Sequence, residues 1–255
     1  MNDFNWIKYE NMVREFARKQ GGNPDNYKFF RDGVVNESKW DEVDNIKVLF
    51  LLKEVNDQCE YSEEEILENG WLNLVNKKDV PDIFDEYMWR KLAFMYKGIC
   101  EAIKNDCEAD PEQWTYFRTE EGKNSFSKEE QEYWINKVAV MNLKKLGGGG
   151  YADKEKSSYT VHYKEHCEEF ASQIKEQIEM ISPDIIVCCS PEVYDNLNRK
   201  VFGFKKKKGN FPIYNENILI VEGYHPTYEN RVKEDFKYLF YADVINCCYK
   251  FWKSK

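Results

Sequence analysis

Three polar residues stand directly behind apolar runs of the chain: Glu54 after VLFLLK, Asn142 after KVAVM, and His225 after ILIVEGY. A carboxylate that emerges from an apolar strand can hold a water molecule or face a developing positive charge. Its plainer use is as a cap or an ion-paired acid. An asparagine offers one acceptor and a pair of donors, the equipment for reading a nucleobase edge or another amide-like group, or simply for turning the chain. The imidazole of His225 is followed by Pro226, which biases it towards an extended conformation at a strand mouth. His162 and His166 are four apart in a helical stretch with no accompanying carboxylate motif, which points to a helix surface rather than a metal pair.

These residues need elements that bring them together. Residues 46–54, 137–143, 184–190 and 217–222 are short apolar runs rich in β-compatible residues, as expected of strands covered on both faces. Helical patterns separate them. Residues 6–20, 85–104, 127–136 and 163–181 carry apolar residues at intervals of three or four, Pro191 opens another helix, and residues 231–252 close the chain with a further apolar face. Buried strands joined by helical crossovers imply parallel pairing. The expected fold is a three-layer αβα sandwich around a central, mainly parallel four-stranded sheet. It forms a single domain over residues 1–255, with an N-terminal helical extension of about residues 1–45. Ligands of such sheets sit at the carboxyl ends of the strands, where the strand order reverses.

Composition narrows the partners. The chain has 255 residues, 42% hydrophobic and 33% charged, with no apolar run of the roughly 20 residues a membrane span needs and no leader-like start. A cytoplasmic protein without membrane contact is expected. Of eight cysteines, Cys188/Cys189 and Cys247/Cys248 are adjacent pairs in apolar segments, and no CxxC spacing occurs, so buried thiols are expected rather than zinc or an iron–sulfur cluster. A net charge of -9 excludes a nucleic-acid binder that uses its whole surface. Any such contact must be local, at Lys144 and Lys145 beside Gly147 to Gly150, or at the run Lys205 to Lys208. The glycine run lacks the lysine-terminated pattern of a nucleotide-phosphate loop.

Taken together, VLFLLKEVND, VAVMNLKKL, PDIIVCCSPEVYDNL and ILIVEGYHPT resemble, in order and strand context, the anchors of a divergent member of the uracil-DNA glycosylase superfamily. The resemblance spans residues 46–227. It implies a monomeric DNA glycosylase of that fold, without metal or cofactor, that hydrolyses the N-glycosidic bond of a flipped-out uracil or altered base and leaves an abasic site. By resemblance Glu54 is the catalytic acid of the first loop, Asn142 reads the base, and His225 contacts it, with Thr227 in place of the usual serine. Lys53 stands where the family usually carries glycine and Asn56 where many members have proline, so the approach to sugar and phosphate differs here. Trp71, then Trp89, are the candidates for the aromatic that stacks on the base, or else core residues. Lys53, Lys144, Lys145, Arg231 and the wedge candidate Tyr228 are the expected DNA contacts.

Two other classes stay open. One is a base-sensing DNA-binding module that has lost turnover. The other is a same-fold enzyme acting on modified pyrimidines of foreign (phage) DNA or on a free nucleoside.

Overall fold

Helix α1 (Trp6–Lys19) starts where the Asn5 side chain accepts a hydrogen bond from the backbone of Lys8, and it buries Tyr9, Val13 and Ala17, spaced four apart, against the sheet. The computed structural model describes residues 4–26, 29–56, 87–117, 119–148, 163–203, 207–208, 211–215, 217–225 and 241–255. After α1 come β1 (Gly33–Val34), α2 (Glu37–Trp40), β2 (Val48–Asn56) and α3 (Tyr87–Asn105). Three short helices follow, α4 (Pro111–Phe117), α5 (Glu120–Ser125) and α6 (Lys128–Ile135), and then β3 (Ala139–Gly148). The second half runs through α7 (Tyr163–Glu169), α8 (Ala171–Ile181), β4 (Ile185–Cys188), α9 (Pro191–Asn196) and a π-helical turn (Leu197–Val201). It continues as β5 (Lys207–Lys208), β6 (Phe211–Tyr214), β7 (Ile218–Glu222) and α10 (Asp243–Lys253).

The sheet order is β1-β3-β2-β4-β7-β6-β5. The four strands expected from the sequence form its parallel centre, in the order β3-β2-β4-β7. The expectation of a four-stranded sheet is corrected: among the described residues there are seven strands and the sheet is mixed, because β1, β5 and β6 pair antiparallel on its flanks. These flanking strands span two to four residues, too few to leave an alternating pattern in the sequence.

Alternate residues of the central strands feed two cores. Val48, Phe50, Val140, Val187 and Val221 pack with α3, α6 and α10. Leu49, Leu51, Met141, Ile186 and Ile220 pack with α1, α7 and α8. This is the arrangement of an αβα sandwich, with helices on both faces. The first 45 residues are part of it, since Tyr9, Val13, Phe29 and Trp40 lie in the second core. The long helix expected over 163–181 is interrupted at Phe170, which leaves helical geometry with φ -105° and ψ 22°. His166, expected on a helix surface, is fully buried, with its ring centroid 4.8 Å from that of Phe170.

Candidate functional site

The register of the parallel strands builds the site. Met141, Leu51, Cys188 and Glu222 form one row across β3, β2, β4 and β7. In that row β4 and β7 end, whereas β2 continues to Asn56 and β3 to Gly148 as an overhanging ribbon. Counted along the chain, Lys144, Glu54, Pro191 and His225 each follow the row by three residues, Pro191 as the first residue of α9. Glu54, the register partner of Lys144, stands three residues past the row on β2, and His225 follows three residues after Glu222, beyond the end of β7. Two strand spacings, about 10 Å, separate β2 from β7. α3, which precedes β3, lies on one face of the sheet and the helices α7 and α8 between β3 and β4 lie on the other, and β2 sits between β3 and β4, so the strand order reverses between β2 and β4. A crevice opens at such a reversal.

The wall beside β4 begins with Ser190, whose hydroxyl accepts from the backbone N–H of Val193 at 3.1 Å and so starts α9. Glu192, in the first turn of that helix, meets Lys53 of β2 with 3.1 Å between Oε2 and Nζ. The same ammonium lies 5.3 Å from the ring centroid of Tyr163. Lys53, expected to contact DNA, thus has its charge answered by a carboxylate of α9. Cys188 and Cys189 behind this wall are buried, which pushes their thiols up and keeps them protonated.

On the β7 side the ladder reaches Gly223, whose N–H donates to the carbonyl of Cys188 at 2.8 Å. A Cβ at Gly223 would come within 3.3 Å of that carbonyl oxygen. Gly223 and Tyr224 share a small apolar hollow with Phe50, Cys189 and, from α3, Leu92 and Met95. The start of α3 is therefore packed directly against the loop that carries His225. Burial, with the nearby charge of the fully buried Lys91 second, pushes the His225 imidazole down to about 4. It is neutral at physiological pH, and a neutral imidazole donates a hydrogen bond without carrying charge.

Asn142 departs from its expected place. It lies two rows beneath Glu54, inside a strand that continues to Gly148, and is 2% exposed. Its backbone N–H donates to Asp32 Oδ2 at 2.7 Å and its side-chain Nδ2 to the same oxygen at 3.1 Å. Lys145 Nζ donates to the other Asp32 oxygen at 2.5 Å and to the Asn142 carbonyl at 2.6 Å. Gln177 Nε2 donates to the Asp32 carbonyl at 2.8 Å. This network ties the segment before β1 and helix α8 to the middle of β3.

Lys144 and Lys145, expected at a DNA backbone, are corrected: neither has any exposed surface, and a buried ammonium cannot neutralise a phosphate in solvent. Burial pulls the Lys145 pKa down while Asp32 opposes that shift. His166 lies nearby with Nε2 3.4 Å from the Tyr9 hydroxyl, and burial followed by the charges of Lys144 and Lys145 pushes its imidazole down to about 3.

Of the remaining sequence candidates, Trp89 is 2% exposed and belongs to the core between α3 and the sheet, the packing alternative to a stacking role. Glu54 and Asn56 are placed by their backbones on β2. Trp71, Thr227, Tyr228 and Arg231 lie outside the described residues. Sequence reasoning missed Asp32, Lys91 and Gln177. Each is an ordinary polar residue in the sequence, and only its burial marks it. Among the described residues no group of three or more His, Cys, Asp or Glu side chains is arranged to hold a metal, and no helix is long and apolar enough to cross a membrane.

Comparisons of the chain with models of protein families, with curated proteins and with solved structures found no match.

Proposed function

We propose that this chain is a monofunctional DNA glycosylase, which hydrolyses the N-glycosidic bond of a flipped-out uracil or altered base and leaves an abasic site. The observation that carries the reading is that Glu54 and the neutral, largely buried His225 both stand past the row in which β4 ends, one on β2 and the other just beyond β7, the two strands that flank β4. Breaking an N-glycosidic bond leaves an oxocarbenium-like sugar on one side and an anionic base on the other. A carboxylate suits the first, or the water that attacks it. A neutral imidazole suits the second, by a hydrogen bond to the base carbonyl. Asn142, bound to Asp32 two rows beneath Glu54, then stiffens the floor of the site, and selection among bases falls to groups of the rim. Flipping the nucleotide costs about a few kcal/mol, least for a mismatched or single-stranded base.

The test is abasic-site formation on oligonucleotides that carry uracil, hypoxanthine or modified cytosines, including those of phage DNA. Replacing Glu54 or His225 by alanine is expected to lower the rate by about a hundredfold or more. Full activity in both variants rejects the assignment, and tight binding without abasic product points to a base sensor.

A second reading, the same chemistry on a free nucleoside, is favoured by the burial of Lys144 and Lys145 in a chain of net charge -9. Release of base from single nucleosides, at rates indifferent to salt, would support it.

A further inference from the structure

Lys53 and Glu192 form an ion pair that the proposed chemistry does not use. Lys53 stands on β2 beyond the row in which β4 ends, and Glu192 lies in the first turn of α9, the helix that follows β4. Their Nζ and Oε2 atoms are 3.1 Å apart, and the two side chains keep 29% and 40% of their surface exposed. A ligand arriving from solvent can therefore reach both. Tyr163 of α7 is buried, with its ring centroid 5.3 Å from the same ammonium. An aromatic face attracts an ammonium and keeps it in place whether or not a carboxylate stands beside it.

The pair decides what this wall offers to a phosphate. Lys144 and Lys145 are fully buried, so of the three lysines expected at a DNA backbone on β2 and β3 only Lys53 meets solvent. Its charge is already answered by Glu192. A phosphate arriving here has to displace that carboxylate or stand beside it, and like charges at such range repel. An exposed ion pair adds little to the stability of a fold, and Glu192 is free to serve selection instead. Without such a use, the pair is a brace between β2 and α9.

We infer that Glu192 is a specificity-determining residue, which occupies the Lys53 ammonium so that this wall of the rim receives a sugar hydroxyl or a base edge and turns a phosphate away. The inference rests on the proposed function in placing a nucleoside unit at this rim, and it adds the chemistry that the α9 wall accepts. A hydroxyl can donate to the Glu192 carboxylate and accept from the Lys53 ammonium. An ionised phosphate oxygen only accepts, so it can use Lys53 alone and meets Glu192 as a like charge. Discrimination of this kind comes from a built-in repulsion as much as from an attraction.

The experiment measures binding of deoxyuridine and of its 3′- and 5′-monophosphates to the full chain by isothermal titration calorimetry, at low and at high salt. Four forms are compared: the natural chain, E192Q, K53Q/E192Q and K53R/E192Q. E192Q is expected to bind at least one monophosphate about fivefold or more tightly than the natural chain does at low salt, while its affinity for deoxyuridine changes little. The gain should shrink as salt is raised, because screening shortens the reach of both charges. It should vanish in K53Q/E192Q and persist in K53R/E192Q, which separates charge from any effect on folding.

No gain for either monophosphate in E192Q, a gain that survives in K53Q/E192Q, or one that K53R/E192Q fails to keep overturns the inference. Release of base, measured in parallel on nucleosides and oligonucleotides, keeps the two claims apart. A Lys53-dependent gain without release of base upholds the role of Glu192 and rejects the catalytic reading. Release of base without such a gain does the reverse.

Discussion

His225 and His166 show how far surroundings move a single group. Both imidazoles are held below the ordinary value, to about 4 and about 3, with burial the first cause in each case. An unfolded chain takes up these protons near pH 6.5, whereas the folded chain refuses them until pH 4 or below, so stability is full above about pH 6.5 and declines as pH falls from there to about 4. Urea unfolding at pH 7 and pH 4.5 should therefore show less loss in His225→Gln than in the natural chain, by on the order of 2 kcal/mol. Equal losses would mean that the imidazole is not shielded. In catalysis the same neutrality predicts a rate that holds steady from pH 7 down to about 5, where an exposed histidine would titrate. The exit of Glu54 and His225 from apolar runs was legible because an apolar run is a local signal. The burial of Lys145 was not, because the carboxylate that answers it is 113 positions away.

At the level of elements, the central strands and longer helices follow from hydrophobic spacing, and their bounds shift by a few residues between sequence and structure. β3 matters most in this respect, since its continuation to Gly148 turns an expected strand-end asparagine into an interior one. The short helices α4 and α5 left no such signal. They meet at a corner in which the Thr119 side chain accepts from the Gly122 N–H at 3.0 Å. A Cβ on Gly122 would lie 1.9 Å from the carbonyl oxygen of Tyr116, a backbone atom that has no rotamer by which to withdraw. Gly122→Ala is expected to destabilise the protein by about 1–3 kcal/mol or more, read as a lowered midpoint in thermal or urea unfolding. A variant as stable as the natural chain would show that this corner can open freely.

For the molecule as a whole, the first 45 residues decide whether the sheet is covered. The sequence suggests an extension, but Tyr9, Val13, Phe29 and Trp40 supply one core and Asp32 holds the buried Lys145. Removing residues 1–45 exposes that apolar face and leaves an ammonium buried without its carboxylate, a loss of about 3–5 kcal/mol from the pair alone. That is comparable with the whole stability of a typical domain. The truncated chain should lack near-ultraviolet circular dichroism and cooperative unfolding; retention of both would confine these residues to an accessory role. The charge of the whole chain is equally uneven, negative in sum yet wholly basic in its charged residues between Asp195 and Glu216.

By itself the sequence determined the central parallel strands, the helices between them and the rim on which Glu54 and His225 emerge, because hydrophobic periodicity is written in neighbouring residues. Tertiary structure decided which charges meet solvent. Lys144, Lys145, Lys91, Asp32 and His166 look like surface residues in the chain and are buried in the fold. What makes a buried charge tolerable is a partner or a depressed ionisation, and both are set by chain segments far apart in sequence.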